Sequence, residues 1–192
     1  MLKKPFPFYR QPDVMDCGPA CLRMVARHFG RSYSIQTLRE RSFVDREGVS
    51  LLGISDAAES IGFHTLSAKI SFESLSREVP LPCIAHWRQD HFVVVYQIKG
   101  DTVFVADPAH GKVSFSKEEF LEAWAGDQTN GQEKGVVLIL EPTPDFHLQE
   151  GEKHSTQKGL GFLFRYLFKY KKLLSQLLLG LFLGSILQLI FP

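Results

Sequence analysis

Cysteine is scarce in this chain: three residues among 192, Cys17, Cys21 and Cys83. So few, and an odd number, exclude a disulfide framework of the kind that staples small secreted domains. No apolar run follows Met1-Leu2-Lys3-Lys4-Pro5, so no secretory signal opens the sequence. The expectation is a reducing, cytosolic setting in which a thiolate survives. No G-x-x-x-x-G-K-[ST] loop occurs, which removes the usual backbone cradle for ATP phosphates from these residues. Basic excess is missing from the first 150 residues, which hold 16 Lys and Arg against 20 Asp and Glu, a net of −4. That balance argues against nucleic acid as a partner. Cys17 and Cys21 stand four apart, yet no His pair completes a zinc spacing, so neither a metal nor a cofactor is expected. Internal repeats are absent as well.

Charge of any sign disappears at the other end. Residues 173–192 carry no charged side chain, and residues 151–172 hold six Lys and Arg against one Glu. Leu173 to Phe191 is rich in Leu, Phe and Ile and long enough to cross a bilayer, so a transmembrane helix is expected over 173–192. A buried helix of a larger protein is the competing reading, kept open by Gln176 and Gln188. The aromatic and basic stretch 159–172 suits the lipid interface. Lys169, Lys171 and Lys172 place the preceding domain on the cytoplasmic side by the positive-inside rule. Residues 146–158 read as a polar linker, which leaves 1–145 as the folded domain.

Within that domain, 44% apolar and 22% charged residues over the whole chain are ordinary for a protein with a core. Helices are expected at 17–29, 34–41 and 50–61, with a short one at 71–77. Strands are expected over Phe63–Ile70, Cys83–Trp87, His91–Ile98, Thr102–Asp107, an edge at Lys112–Phe115, and Gly135–Leu140. Ser116 with Glu119 three residues on forms a capping box that opens a helix over Lys117–Ala125. Helices followed by strands imply an α+β fold with an antiparallel sheet.

One constellation stands apart. Gly18 and Pro19 break the chain just after Cys17 and pre-set a first helical turn, and apolar residues at helical spacing run from Cys21 to Phe29. A thiol at a helix N-terminus feels the positive end of the dipole, which favours the thiolate nucleophile. Lys99-Gly100-Asp101 makes a hairpin turn in which opposed positions sum to about 199–201. That register brings His91 and Asp107 together at the hairpin's open end, as a base and the carboxylate that orients it. His86 is the rival base, with only Asp90 near it in sequence. Gln11 offers a side-chain donor for a developing oxyanion, beside the backbone N–H of Cys17. Cys21 and Cys83 read as core residues, and Cys17 alone could be read the same way.

These residues carry a resemblance. Gln11…Asp16-Cys17-Gly18-Pro19-Ala20-Cys21-Leu22-Arg23-Met24, Pro82-Cys83-Ile84-Ala85-His86-Trp87, His91-Phe92-Val93-Val94-Val95 and Asp107-Pro108…Gly111 occur in the order seen in the N-terminal peptidase domain of peptidase-containing ABC transporters. The chain resembles those bacteriocin-processing, double-glycine leader peptidases across roughly residues 7–140. The resemblance implies a papain-like fold with Cys17 as nucleophile, His91 as general base, Asp107 as its partner and Gln11 in the oxyanion hole. It further implies a leader peptide cut after Gly-Gly, and a site on the cytosolic face of the bacterial inner membrane. The partners it implies are the lipid bilayer, the membrane and ATPase domains of the transporter, and a second copy in a homodimer. Domains of secretion transporters that only dock substrate lack the cysteine, and that inactive role is the alternative reading.

Overall fold

The structure, a computed structural model, describes residues 5–43, 48–125, 133–148 and 171–190. Its first helix, α1 (Cys17–His28), follows a single 3-10 turn, Val14–Asp16, capped at both ends of its own box. The Asp13 carboxylate accepts from Met15 N–H at 3.2 Å, and Asp16 accepts from Asp13 N–H at 3.2 Å. Pro19 lies in the first turn of α1, where its missing N–H costs no hydrogen bond. Gly18 lets the start of α1 approach its neighbours closely: a Cβ there would stand 2.7 Å from Ile54 Cδ1 and closer still to Val49. The remaining short helices share one device. Ser34, Ser50, Ser71 and Ser116 each accept a backbone N–H at the openings of α2 (Ile35–Arg41), α3 (Leu51–Ser60), α4 (Phe72–Arg77) and α5 (Lys117–Trp124). Such a cap is worth about 1 kcal/mol apiece.

Six strands, β1 (Phe63–Ser71), β2 (Cys83–Trp87), β3 (His91–Lys99), β4 (Thr102–Asp107), β5 (Gly111–Ser116) and β6 (Lys134–Pro142), form one antiparallel sheet in the order β1-β6-β2-β3-β4-β5. Both faces are covered. Ile84, Phe92, Val94, Ala106 and Leu138 meet Leu22, Met24, Val25 and Ile54 on one side. Cys83, Ala85, Val93, Val95 and Val103 meet Phe72, Leu75, Phe120 and Trp124 on the other. Burial on both faces is why β2, β3 and β4 read as continuous apolar runs and not as alternation.

The structure departs from the sequence reading at the domain's end. The linker was expected to start at residue 146, yet Pro144–Leu148 forms a further helix, α6, with Phe146 fully buried and its ring 4.4 Å from that of Phe63. One buried aromatic among polar residues is too weak a periodic signal to read. Residues 149–158 of the linker and 159–170 of the interfacial stretch lie outside the described residues.

By contact the chain divides into two units, residues 1–154 and 155–192. In the second, the apolar stretch is helical over Lys171–Ile190, α7. Among the described residues no helix is long and apolar enough to cross a membrane. The transmembrane helix expected over 173–192 therefore remains an expectation from the sequence.

Candidate active site

The ends of three elements converge where β3 begins. His91 is the first residue of β3 and follows the turn Arg88-Gln89-Asp90. Arg88 and Gln89 hold left-handed φ values of 49° and 66°, and Arg88 N–H donates to Ala123 O of α5 at 2.9 Å. Asp107 is the last residue of β4. The β3–β4 register pairs Val94 with Ala106 and Val95 with Val105, then shifts at a bulge by Tyr96 to pair Gln97 with Phe104. This falls within the sums read from the turn. His91 Nε2 and Asp107 Oδ1 are 2.9 Å apart. With Nε2–H donating to the carboxylate, Nδ1 is left for another neighbour, and the nearby Cys17 thiol is one of the groups that raise the His91 pKa.

Electrostatics follow from this chain of contacts. Burial works to lower the His91 pKa, but the hydrogen bond to Asp107 and the proximity of Asp107 and Cys17 outweigh it, and the ring is pushed up to about 9. Burial works to raise the Asp107 carboxyl. Against it act the His91 bond, the Ala109 N–H at 2.8 Å and the His110 ring, and they hold it well below the usual carboxylate range. His110 Nδ1 lies 2.9 Å from Asp107 Oδ2. In the sequence His110 carries no signal beyond its place three residues after Asp107, across a proline.

Cys17, at the start of α1, is only 6% exposed. Cys21 and Cys83 are fully buried. Cys21 Sγ donates to Phe92 O at 3.2 Å, and burial pushes its pKa well up; Cys83 is pushed up to about 12 for the same reason. His86 packs its ring 5.1 Å from Phe92 and lines a different cavity, of about 740 Å³, with Lys69 and Glu119.

Gln11 sits on the irregular segment before the 3-10 turn. Its backbone N–H donates to Pro108 O at 3.0 Å, which ties it to the Asp107 loop. Its side-chain Nε2 reaches Val14 O at 3.4 Å, and Oε1 is buried with no partner among the described residues. Gln11, Val14, Trp87, His91, Asp107 and Phe115 border one open cavity of about 570 Å³; Cys17 is not among its lining residues. Another feature missed by the sequence reading lies behind the thiol. Asp16 is completely buried and ion-paired with Arg39 Nε of α2 at 3.1 Å. Among the described residues no cluster of three or more His, Cys, Asp or Glu is arranged to hold a metal.

A thiol, an imidazole and a carboxylate in series, on helices packed against an antiparallel sheet, define an α+β papain-like cysteine peptidase. Known proteins agree. A model of the Peptidase C39 family matches residues 5–129, and the chain belongs to that family. It is similar to the lactococcin-G-processing and transport ATP-binding protein LagD of Lactococcus lactis subsp. lactis, 41% identical over 141 residues, covering 71% of this chain and 19% of LagD. It is also similar to the colicin V secretion/processing ATP-binding protein CvaB of Escherichia coli, 30% identical over 171 residues, covering 89% of this chain and 23% of CvaB. The chain thus spans about a fifth of the length of the curated relatives it matches. Among solved structures, the double glycine motif protease of an AMS/PCAT transporter in complex with the leader peptide superposes with a TM-score of 0.65 at 31% identity. That match covers 71% of this chain and 91% of the other. The peptidase domain of Streptococcus ComA, a bi-functional ABC transporter, gives 0.64 at 33% identity, over 72% of this chain and all of that domain.

Proposed function

We propose that this chain is the peptidase part of a peptide exporter and removes the leader of a bacteriocin-like precursor after a Gly-Gly pair. The observation that carries the reading is the run Asp107–His91–Cys17, a carboxylate hydrogen-bonded to an imidazole whose pKa is also raised by the neighbouring thiol. In the proposed reaction the Cys17 thiolate, paired with His91 imidazolium, attacks the carbonyl carbon of the second glycine. The tetrahedral oxyanion takes hydrogen bonds from the Gln11 amide and the Cys17 backbone N–H. As the C–N bond breaks, His91 gives its proton to the leaving nitrogen of the cargo, and the leader stays on Cys17 as a thioester. Water then attacks the thioester, His91 takes its proton, and the leader carboxylate leaves as the thiol is restored. Asp107 keeps the ring in the tautomer that allows both transfers.

The substrate would be a double-glycine leader peptide, and the partners would be the membrane and ATPase domains of an ABC transporter, as the names of the relatives suggest. The 1–145 domain would face the cytosol of a bacterium, with 159–172 in the lipid interface, 173–192 across the inner membrane and a homodimer formed through the membrane part. Cys17, His91, Asp107 and Gln11 would carry the chemistry without metal or cofactor. The presence of Cys17 among the groups that raise the His91 pKa favours this over a docking-only role.

The test is a synthetic precursor with a double-glycine leader, incubated with the full chain in detergent and followed by mass spectrometry. One cut after Gly-Gly is expected, absent in Cys17→Ala, which should still bind the leader with nearly unchanged affinity. Saturable leader binding without cleavage by the unaltered chain would instead assign the docking role.

A further inference from the structure

Gln11 lies on neither helix nor strand, and its own side-chain bonds do not fix it: one contact is long, at 3.4 Å, and Oε1 has no partner among the described residues. Something else must aim the amide. The segment ahead of it is anchored at several points. Pro5 and Pro7 oppose helix, and residues 5–11 form neither helix nor strand. The Phe6 ring stacks on Tyr96 of β3 at 4.7 Å between centroids and 7° between planes, and leans on His28 of α1 at 5.4 Å. Lys112 Nζ of β5 donates to the Phe6 carbonyl. The Arg23 guanidinium of α1 sits over the Tyr9 ring, 4.1 Å from its centroid. Finally Gln11 N–H bonds Pro108 O, one residue beyond Asp107.

We propose that Phe6 and Tyr9 are positioning residues for Gln11: residues 5–11 act as a strap, pinned between α1 and the sheet, that sets where the amide points relative to Cys17. The inference rests on Gln11 being the oxyanion donor. Tyr9 is the nearer anchor, two residues away along the chain, and its cation sits on the helix that begins with Cys17. The strap therefore references the donor to the nucleophile's own helix and, through Pro108, to the carboxylate's loop. Both anchors are only half-buried at the edge of the core, so their truncation leaves the core's fully buried residues in place. An oxyanion donor displaced by about 1 Å costs on the order of 100-fold in rate, with little effect on ground-state binding.

The experiment uses the full 192-residue chain in detergent with a double-glycine precursor. Tyr9→Ala is expected to lower kcat by about 10- to 100-fold and leave KM within about twofold, while Tyr9→Phe, which keeps the ring under Arg23, restores kcat. Alkylation of Cys17 by iodoacetamide needs no oxyanion hole, so its rate should stay within about twofold of the unaltered chain. In a Gln11→Ala background Tyr9→Ala should cost less than about twofold more, since the group it aims is gone. Phe6→Ala gives an independent second variant, with the same signature and a smaller loss. A normal kcat in both ring deletions, a loss that multiplies with that of Gln11→Ala, or alkylation slowing in parallel with cleavage would overturn the strap. Failure of the unaltered chain to cut any Gly-Gly precursor would instead overturn the peptidase reading, and the strap with it.

Discussion

Asp107 accepts from His91 on one oxygen, from the Ala109 N–H on the same oxygen and from His110 on the other, so its position does not depend on the imidazole it serves. His91 in turn owes its raised pKa to Asp107 more than to Cys17. Asp107→Asn keeps the shape and removes the charge, and should lower the His91 pKa from about 9 while favouring the wrong tautomer. We expect kcat to drop by on the order of 1,000-fold or more, as such tautomer errors do elsewhere. The alkaline limb of the pH–rate profile should move to lower pH; an unmoved limb would mean that another group sets it. The same pair has a consequence for stability. His91 is raised on folding, so its contribution is complete below an unfolded pKa of about 6.5 and is lost as pH rises through about 9. Asp107 is depressed, so its contribution is complete above about 3.9 and is lost as pH falls through its folded value. Thermal melts should show the pair's full stabilisation between about pH 4 and 6.5, a decline toward about pH 9, and a flatter profile in Asp107→Asn.

At the scale of elements, the start of α1 is held from behind by a buried charge. Asp16 takes Arg39 Nε at 3.1 Å and Nη1 at 3.4 Å, while the guanidinium side remains 38% exposed. Arg39→Ala strips a buried carboxylate of its cation and should destabilise the fold by roughly 1–3 kcal/mol, at the lower end if water enters the vacated space. A melting temperature equal to that of the unaltered chain would show the pair idle. Neither residue announces this in the sequence, because a pair 23 positions apart has no local signature. Elements with local causes were legible: the Ser116–Glu119 box marked α5, and the Gly100 turn limited the registers to ones that put His91 near Asp107, while the caps Ser34, Ser50 and Ser71 emerge only in the structure. Non-local pairings were not. β1 and β6 pair from Phe63–Pro142 to Ser71–Lys134, over 60 residues apart, and nothing along either strand names its partner. The Arg88-Gln89 turn was hidden for another reason, since its two left-handed residues are neither glycine nor asparagine. Tertiary contacts, among them the Arg88 N–H bond to Ala123 O, hold it there. Of the site, the histidine–carboxylate pair was legible, whereas the His110 contact and the anchoring of Gln11 depend on how loops fold back.

Over the whole molecule, charge is sorted by position: a net of −4 across residues 1–150, +5 across 151–172 and none across 173–192. An anionic bilayer would repel the first part mildly and attract the second, each Lys or Arg near the surface contributing about 1 kcal/mol. On the proposed reading the 20-residue helix α7, about 30 Å long at 1.5 Å per residue, would cross the bilayer, although among the described residues no helix is long and apolar enough to do so. These two contributions separate experimentally because salt weakens only the electrostatic one. The full chain, reconstituted into vesicles with anionic lipid, should stay bound through a wash at about 1 M salt, where screening leaves electrostatic attraction a reach of only about 3 Å. It should also resist alkaline carbonate, which removes proteins held at the surface. Lys169→Glu, Lys171→Glu and Lys172→Glu together should slow initial capture by anionic vesicles without loosening chain already inserted, because on the proposed reading the uncharged residues 173–192 and not the basic stretch would then hold it. Release by salt alone would place α7 on the surface, with the peptidase held by the basic stretch, and the single span would have to be abandoned.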